Sequence, residues 1–115
     1  MINDIVLFPE EIRGSVPQLY YNDENNVSGN DILIHLKFFC GVFTWLVAEW
    51  ADEDGQIIFF GYVQNHATPD FSELGYFSLQ EFEDFNKNHV FPKIERDLYF
   101  GEPKKLSEIL GRKIF

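Results

Sequence analysis

At 115 residues the chain has the length of one domain, taken as residues 1–115, and enough residues to bury a core without disulfides. A hydrophobic fraction of 45%, with 13 Phe, is too apolar for a disordered polymer, and no apolar run nears the ~18 residues of a membrane helix. The formal charge of −10 keeps such an aromatic domain soluble, disfavours direct contact with phosphate backbones, and suits a protein partner with a basic surface.

The charge is unevenly spread. Up to Asn86 the only bases are Arg13 and Lys37, against acids throughout; beyond it bases outnumber acids. The opening "MINDIVLFPEE" lacks the basic n-region of a signal peptide. The single cysteine, Cys40, lies in apolar "KFFCGVF" and reads as a small buried hydrophobe. Together these fit a cytoplasmic protein without membrane attachment.

In chain order, "LFPEEIRG" predicts a short helix: Pro9 suits a first helical position, Glu10 and Glu11 the positive end of the dipole, and Gly14 a stop. The polar, turn-rich residues 21–31 read as a variable surface loop. "DILIHLKFF" alternates as one strand, with Ile32, Ile34, Leu36 and Phe38 on one face and Leu33, His35, Lys37 and Phe39 on the other. "VFTWLVAEW" and "IIFFGYV" are further strands joined by "ADEDGQ", whose Asp-Gly signals a hairpin. Gly61 within the returning strand marks a bulge or a close approach.

"ELGYF" reads as a short strand. Ser78 with Glu81 forms a capping box, after which Leu79, Phe82 and Phe85 make one apolar stripe of a helix. The cap explains Ser78 without a catalytic role. "KIERDLYF" is a last strand, and a C-terminal helix over about 103–111 stops at Gly111. This order predicts an α+β domain: an antiparallel sheet of about four to five strands with helices packed mainly on one face.

Three charges fall where alternation places apolar neighbours. Glu49 shares a face with Phe43, Trp45 and Val47; Glu73 with Gly75 and Phe77; Arg96 with Ile94, Leu98 and Phe100. Buried charges are paired or reach an open edge, so Arg96 is expected either to bridge Glu49, Glu73 or both, or to reach solvent. His35, His66 and His89 are scattered, and no metal, phosphate-loop or nucleophile motif is present, so neither a cofactor, a metal nor a catalytic residue is assigned.

The blocks "LKFF", "TWLVAEW", "FFGYV", "ELGYFSLQEFE" and "IERDLYF" occur in an order that resembles a family of small bacterial proteins of unknown function. Its members occur on plasmids, conjugative elements and phages, often beside anti-restriction and DNA-transfer genes. The resemblance runs from about Ile32 to Phe100, with "VPQLY" before it, and implies a setting of mobile DNA rather than an activity. Carried onto this chain, its marked polar positions are Glu49, Glu73, Glu95, Arg96 and Asp97. Its marked aromatics and glycines are Trp45, Phe59, Phe60, Gly61, Gly75, Tyr76 and Phe77. The acidic loop "ADEDGQ" and the basic tail depart from the pattern.

Two readings of different class follow. In the first, the chain is a non-enzymatic acidic interaction protein that blocks the nucleic-acid groove of a host defence nuclease. Its contacts are the hairpin tip Asp52, Glu53 and Asp54 and the helix face Glu83 and Asp84. In the second, it is a small hydrolase or ligand-binding domain using Glu49, Glu73, Glu95, Arg96 and Asp97, which requires a concave pocket lined by them. A homodimer through spare aromatic surface is a third arrangement consistent with the composition.

Overall fold

The computed structural model describes residues 6–112; residues 1–5 and 113–115, which enter the leader and basic-tail readings, lie outside it. In chain order the elements are α1 (Glu10–Arg13), α2 (Tyr21–Glu24), β1 (Leu33–Ile34), β2 (Leu36–Cys40), β3 (Phe43–Glu53), β4 (Gln56–Asn65), β5 (Glu73–Ser78), α3 (Leu79–Asn88), β6 (Glu95–Arg96), β7 (Lys104–Lys105) and α4 (Leu106–Leu110). Five strands form an antiparallel sheet in the order β5-β4-β3-β2-β6, and β1 pairs with β7 in a separate two-stranded sheet. The architecture is α+β, as the order of strands and helices predicts.

The long β3–β4 hairpin is the backbone of the sheet. Asp54 and Gly55 both take positive φ (54° and 87°), which a two-residue turn matched to strand twist requires. The Asp52 carboxylate accepts the Gly55 N–H at 2.8 Å and fixes that turn. Along the hairpin, Val47 opposes Gly61 and Glu49 opposes Phe60, so Ala48 is an extra, bulged residue. Gly61 is what lets the strands close here. A Cβ on it would stand 1.8 Å from the Leu46 carbonyl oxygen.

Each sheet face carries its own core. On the first, Phe38, Val47, Phe59 and Phe77 meet Leu79 and Phe82 of α3, with Leu7 and Phe8 of the N-terminal segment. Phe82 is the hub: its ring centroid lies 5.2 Å from Phe38, 4.8 Å from Trp45 and 5.7 Å from Phe77. The Ser78 hydroxyl accepts the Glu81 N–H at 3.2 Å and donates to the Glu81 carboxylate at 2.9 Å, so the predicted cap is present. On the second face, Ile32, Ile34, Leu46, Ala48 and Tyr62 pack with Leu106 of α4. Gly111 ends α4 in the left-handed region, φ 71°.

The structure corrects four local expectations. "DILIHLKFF" is not one strand. It breaks at His35, whose N–H donates to the Val47 carbonyl at 2.9 Å. Ile32 and Ile34 therefore join the second core and Leu36 and Phe38 the first. The loop over 21–31 contains the short α2 and a 3-10 turn at Gly29–Asp31. "KIERDLYF" pairs only at Glu95 and Arg96, opposite Phe39 and Phe38 of β2. Pro9 is the N-cap residue of α1 rather than its first helical residue.

Candidate functional site

The marked polar residues do not converge. Glu49 lies on the central strand β3, Glu73 begins the edge strand β5, and Glu95 and Arg96 form β6 at the opposite edge. With about 4.8 Å per strand, β5 and β6 stand on the order of 19 Å apart. The expected bridge from Arg96 to Glu49 or Glu73 is absent: β2 separates Arg96 from Glu49, and β2, β3 and β4 separate it from Glu73. Arg96 instead donates to the Val6 carbonyl at 3.4 Å, and its buried Nε has no hydrogen-bond partner among the described residues. Asp97 sits 3.9 Å from Lys37 Nζ and accepts the Tyr99 N–H at 2.9 Å. Glu73 and Glu95 are exposed.

Glu49 is the exception, only 3% exposed, and the bulge explains it. Beyond Ala48 the alternation reverses. Glu49 leaves the face of Trp45 and Val47 and joins that of Phe60, its cross-strand partner. There Oε1 accepts the Tyr20 N–H at 2.8 Å, and Oε2 accepts the Asn22 N–H at 2.8 Å and its side-chain amide at 2.6 Å. Tyr20 has a left-handed backbone, φ 74°, as it enters α2. The carboxylate is thus the cap that fastens the start of α2 to the sheet. No cation closes on it among the described ion pairs, so its charge is held by amide dipoles alone.

The neighbouring Trp50 anchors the chain leading to α2. Its indole N–H is shared between the Arg13 carbonyl at 3.1 Å and the Val16 carbonyl at 3.0 Å. Its backbone pairs with Pro17 and Leu19, at 3.0 and 2.9 Å. The segment before α2 therefore takes the place beside β3 that β2 leaves vacant.

The acids of the hairpin tip and of α3 do approach one another, though not as one flat face. Asp54 and Glu83 line a shallow cleft of about 250 Å³ with Gln56, Leu79 and Gln80. Asp84 accepts from Gln80 at 2.9 Å on the exposed side of α3. Asp52 is engaged in the turn, and Glu53, two residues beyond Ala51 on the face of Glu49, belongs to the second face.

A larger groove of about 1080 Å³ opens between the end of β2, the end of α3 and the loop after it, lined among others by Phe39, Cys40, Lys87, Phe91 and Glu95. Of the five marked polar residues, only Glu95 lines it. Burial, and then the Glu95 carboxylate, push the Cys40 thiol above its usual range, which keeps it protonated and a poor nucleophile. Among the described residues no group of three or more His, Cys, Asp and Glu side chains is placed to hold a metal ion. No described helix is long and apolar enough to cross a membrane.

Sequence reasoning missed the polar role of Asn22 and the exposed aromatic row of the second face. The Glu49 charge inside an apolar strand was the available signal, and it pointed to burial without identifying the partner. No curated protein and no solved structure matches the chain. A family model described as a protein of unknown function (DUF2958) matches residues 9–112, and the chain belongs to that family.

Proposed function

We propose that the domain is a non-enzymatic acidic interaction protein of a bacterial mobile element. It captures a partner with a basic surface, and the partner class favoured is a host nucleic-acid defence nuclease whose substrate groove it occupies. The observation that carries the reading is the approach of two acidic segments distant in sequence: Asp54 of the hairpin tip and Glu83 of α3 border one cleft. Negative charge gathered at one end of a rigid sheet steers a basic groove onto it and gives fast capture. The resemblance to proteins of plasmids, conjugative elements and phages supports the setting.

The alternative, a hydrolase or ligand-binding domain built on Glu49, Glu73, Glu95, Arg96 and Asp97, has less support. These residues are spread across the sheet, and Glu49 is consumed by its three hydrogen bonds. Expression of the chain in a bacterium with an active restriction or CRISPR system tests the proposal. Transformation by a targeted plasmid should rise, and Asp54→Asn with Glu83→Gln and Asp84→Asn should abolish the rise. Unchanged transformation across a panel of such systems would contradict the nuclease target.

A further inference from the structure

The second sheet face is covered over only part of its length. Leu106 seals Ile34, Leu46 and Tyr62, with Ile109 and Leu110 packed at the margin of the same core. Towards the hairpin tip the same face continues through Glu49, Ala51 and Glu53 of β3, Ile58 and Phe60 of β4, and Tyr76 of β5; the start of α2 covers Glu49 through the Tyr20 and Asn22 hydrogen bonds, and beside it Tyr76 stays at the surface. Glu49, Phe60 and Tyr76 are successive cross-strand neighbours in one row. The Phe60 and Tyr76 rings lie 5.1 Å apart. Tyr76 is 60% exposed and Tyr20, tied by its N–H to Glu49, is 55% exposed. Asp23 follows Asn22, which bonds to Glu49, and Glu53 lies further along β3 on the same face as Glu49. Partial burial first, and then Tyr20, Glu49, Asp23 and Glu53, push the Tyr76 phenol above its usual range.

An aromatic platform ringed by carboxylates is complementary to a cation that also needs a ring face. An ammonium or guanidinium over a tyrosine is attracted by the ring quadrupole, and negative potential from Asp23, Glu53 and the uncompensated Glu49 adds to it. A planar guanidinium fits better than an ammonium, since it stacks on a ring while its N–H groups reach carboxylates at the rim. We infer that the open part of the second face, with Phe60 and Tyr76 at its centre and Tyr20, Asp23 and Glu53 at its rim, receives an arginine side chain of a basic protein partner. The inference rests on the proposed capture of a basic partner but uses a different surface from the Asp54–Glu83 cleft.

The test is binding of a fluorescein-labelled peptide of alternating glycine and arginine, with a citrulline peptide of the same length as neutral control. It is read by anisotropy and by amide chemical shifts of the full chain. Shifts should centre on Tyr20, Glu53, Phe60 and Tyr76. Tyr76→Ala, at an exposed position, should weaken binding about tenfold, Asp23→Asn should weaken it as well, and citrulline should abolish it. Asp54→Asn with Glu83→Gln should leave this peptide affinity within about twofold, a change of about 0.4 kcal/mol. If shifts instead fall on the cleft and Tyr76→Ala binds like the native chain, this inference is overturned while the proposed function stands. If no arginine peptide binds at all, this site is likewise overturned; the capture proposal is then judged on the transformation assay alone.

Discussion

Asn22 donates twice to the same oxygen of Glu49, from its backbone N–H at 2.8 Å and its side-chain amide at 2.6 Å. One residue thus supplies both a helix-start amide and a neutral side-chain donor to a buried charge. Together with the Tyr20 N–H on the other oxygen, it converts a costly buried carboxylate into the fastening between the sheet and the segment before β1.

Removing that fastening leaves donors without an acceptor. Glu49→Ala should cost roughly 3 kcal/mol, because a buried donor left unsatisfied loses its full desolvation energy. Glu49→Gln keeps one oxygen but turns an amide N–H₂ towards other donors, and should cost roughly 1–2 kcal/mol. Urea denaturation measures both. A Glu49→Ala loss below about 0.5 kcal/mol would contradict the fastening role.

Gly61 and Gly75 face each other across β4 and β5 yet should respond oppositely to alanine. At Gly61 a Cβ meets the Leu46 carbonyl at 1.8 Å, so strands must separate, and Gly61→Ala should cost more than about 3 kcal/mol. At Gly75 nothing lies within 4 Å of a new Cβ. Gly75→Ala should be within about 1 kcal/mol of the native protein, or gain through a less flexible unfolded chain. Thermal melts of the two variants side by side check this.

The cap at Ser78 gives a smaller, local effect. Ser78→Ala removes the acceptor for the Glu81 N–H and should cost about 1 kcal/mol. Ser78→Thr, whose hydroxyl can both accept the Glu81 N–H and donate to the Glu81 carboxylate, should recover most of it. Amide hydrogen exchange over Leu79–Phe82 should quicken in the alanine variant ahead of the rest of the sheet.

Acid should weaken the fold through His35. Burial holds its imidazole below the ordinary value of about 6.5, so the unfolded chain binds the proton first. Stability therefore falls as pH drops from above that value, and this component levels off once the lower folded-state pKa has been passed. His35→Gln removes the component. The native and variant stability curves should converge below pH 6 relative to their separation at pH 8, and parallel curves would contradict it.

Much of the fold could be read from residue order. Asp54-Gly55 declared the hairpin, Ser78 with Glu81 the start of α3, Leu79, Phe82 and Phe85 its buried stripe, and Gly111 the end of α4. These signals are local, and local rules decide them. What could not be read depends on distant partners. The bulge at Ala48 is silent because "WLVAEW" is apolar on both faces, so alternation carried past it put Glu49 on the wrong side. The break at His35 is silent for a similar reason: Ile34 and Leu36 are equally apolar, and only α4 and α3 assign them to different cores. The separation of Arg96 from Glu73 follows from strand order, which no spacing along the chain encodes. For the candidate site, the tip and α3 acids stood out by charge, whereas the Phe60–Tyr76 row needed the register of three strands.

The most direct test is quantitative affinity capture from a nuclease-treated bacterial lysate, comparing the native chain with a variant carrying Asp54→Asn, Glu83→Gln and Asp84→Asn. The native chain should capture one dominant nucleic-acid enzyme, eluted by salt because surface charges are screened, and an equally stable variant should lose it. Capture of the same protein by both chains, or elution indifferent to salt, would contradict the claim that these acids form the binding surface.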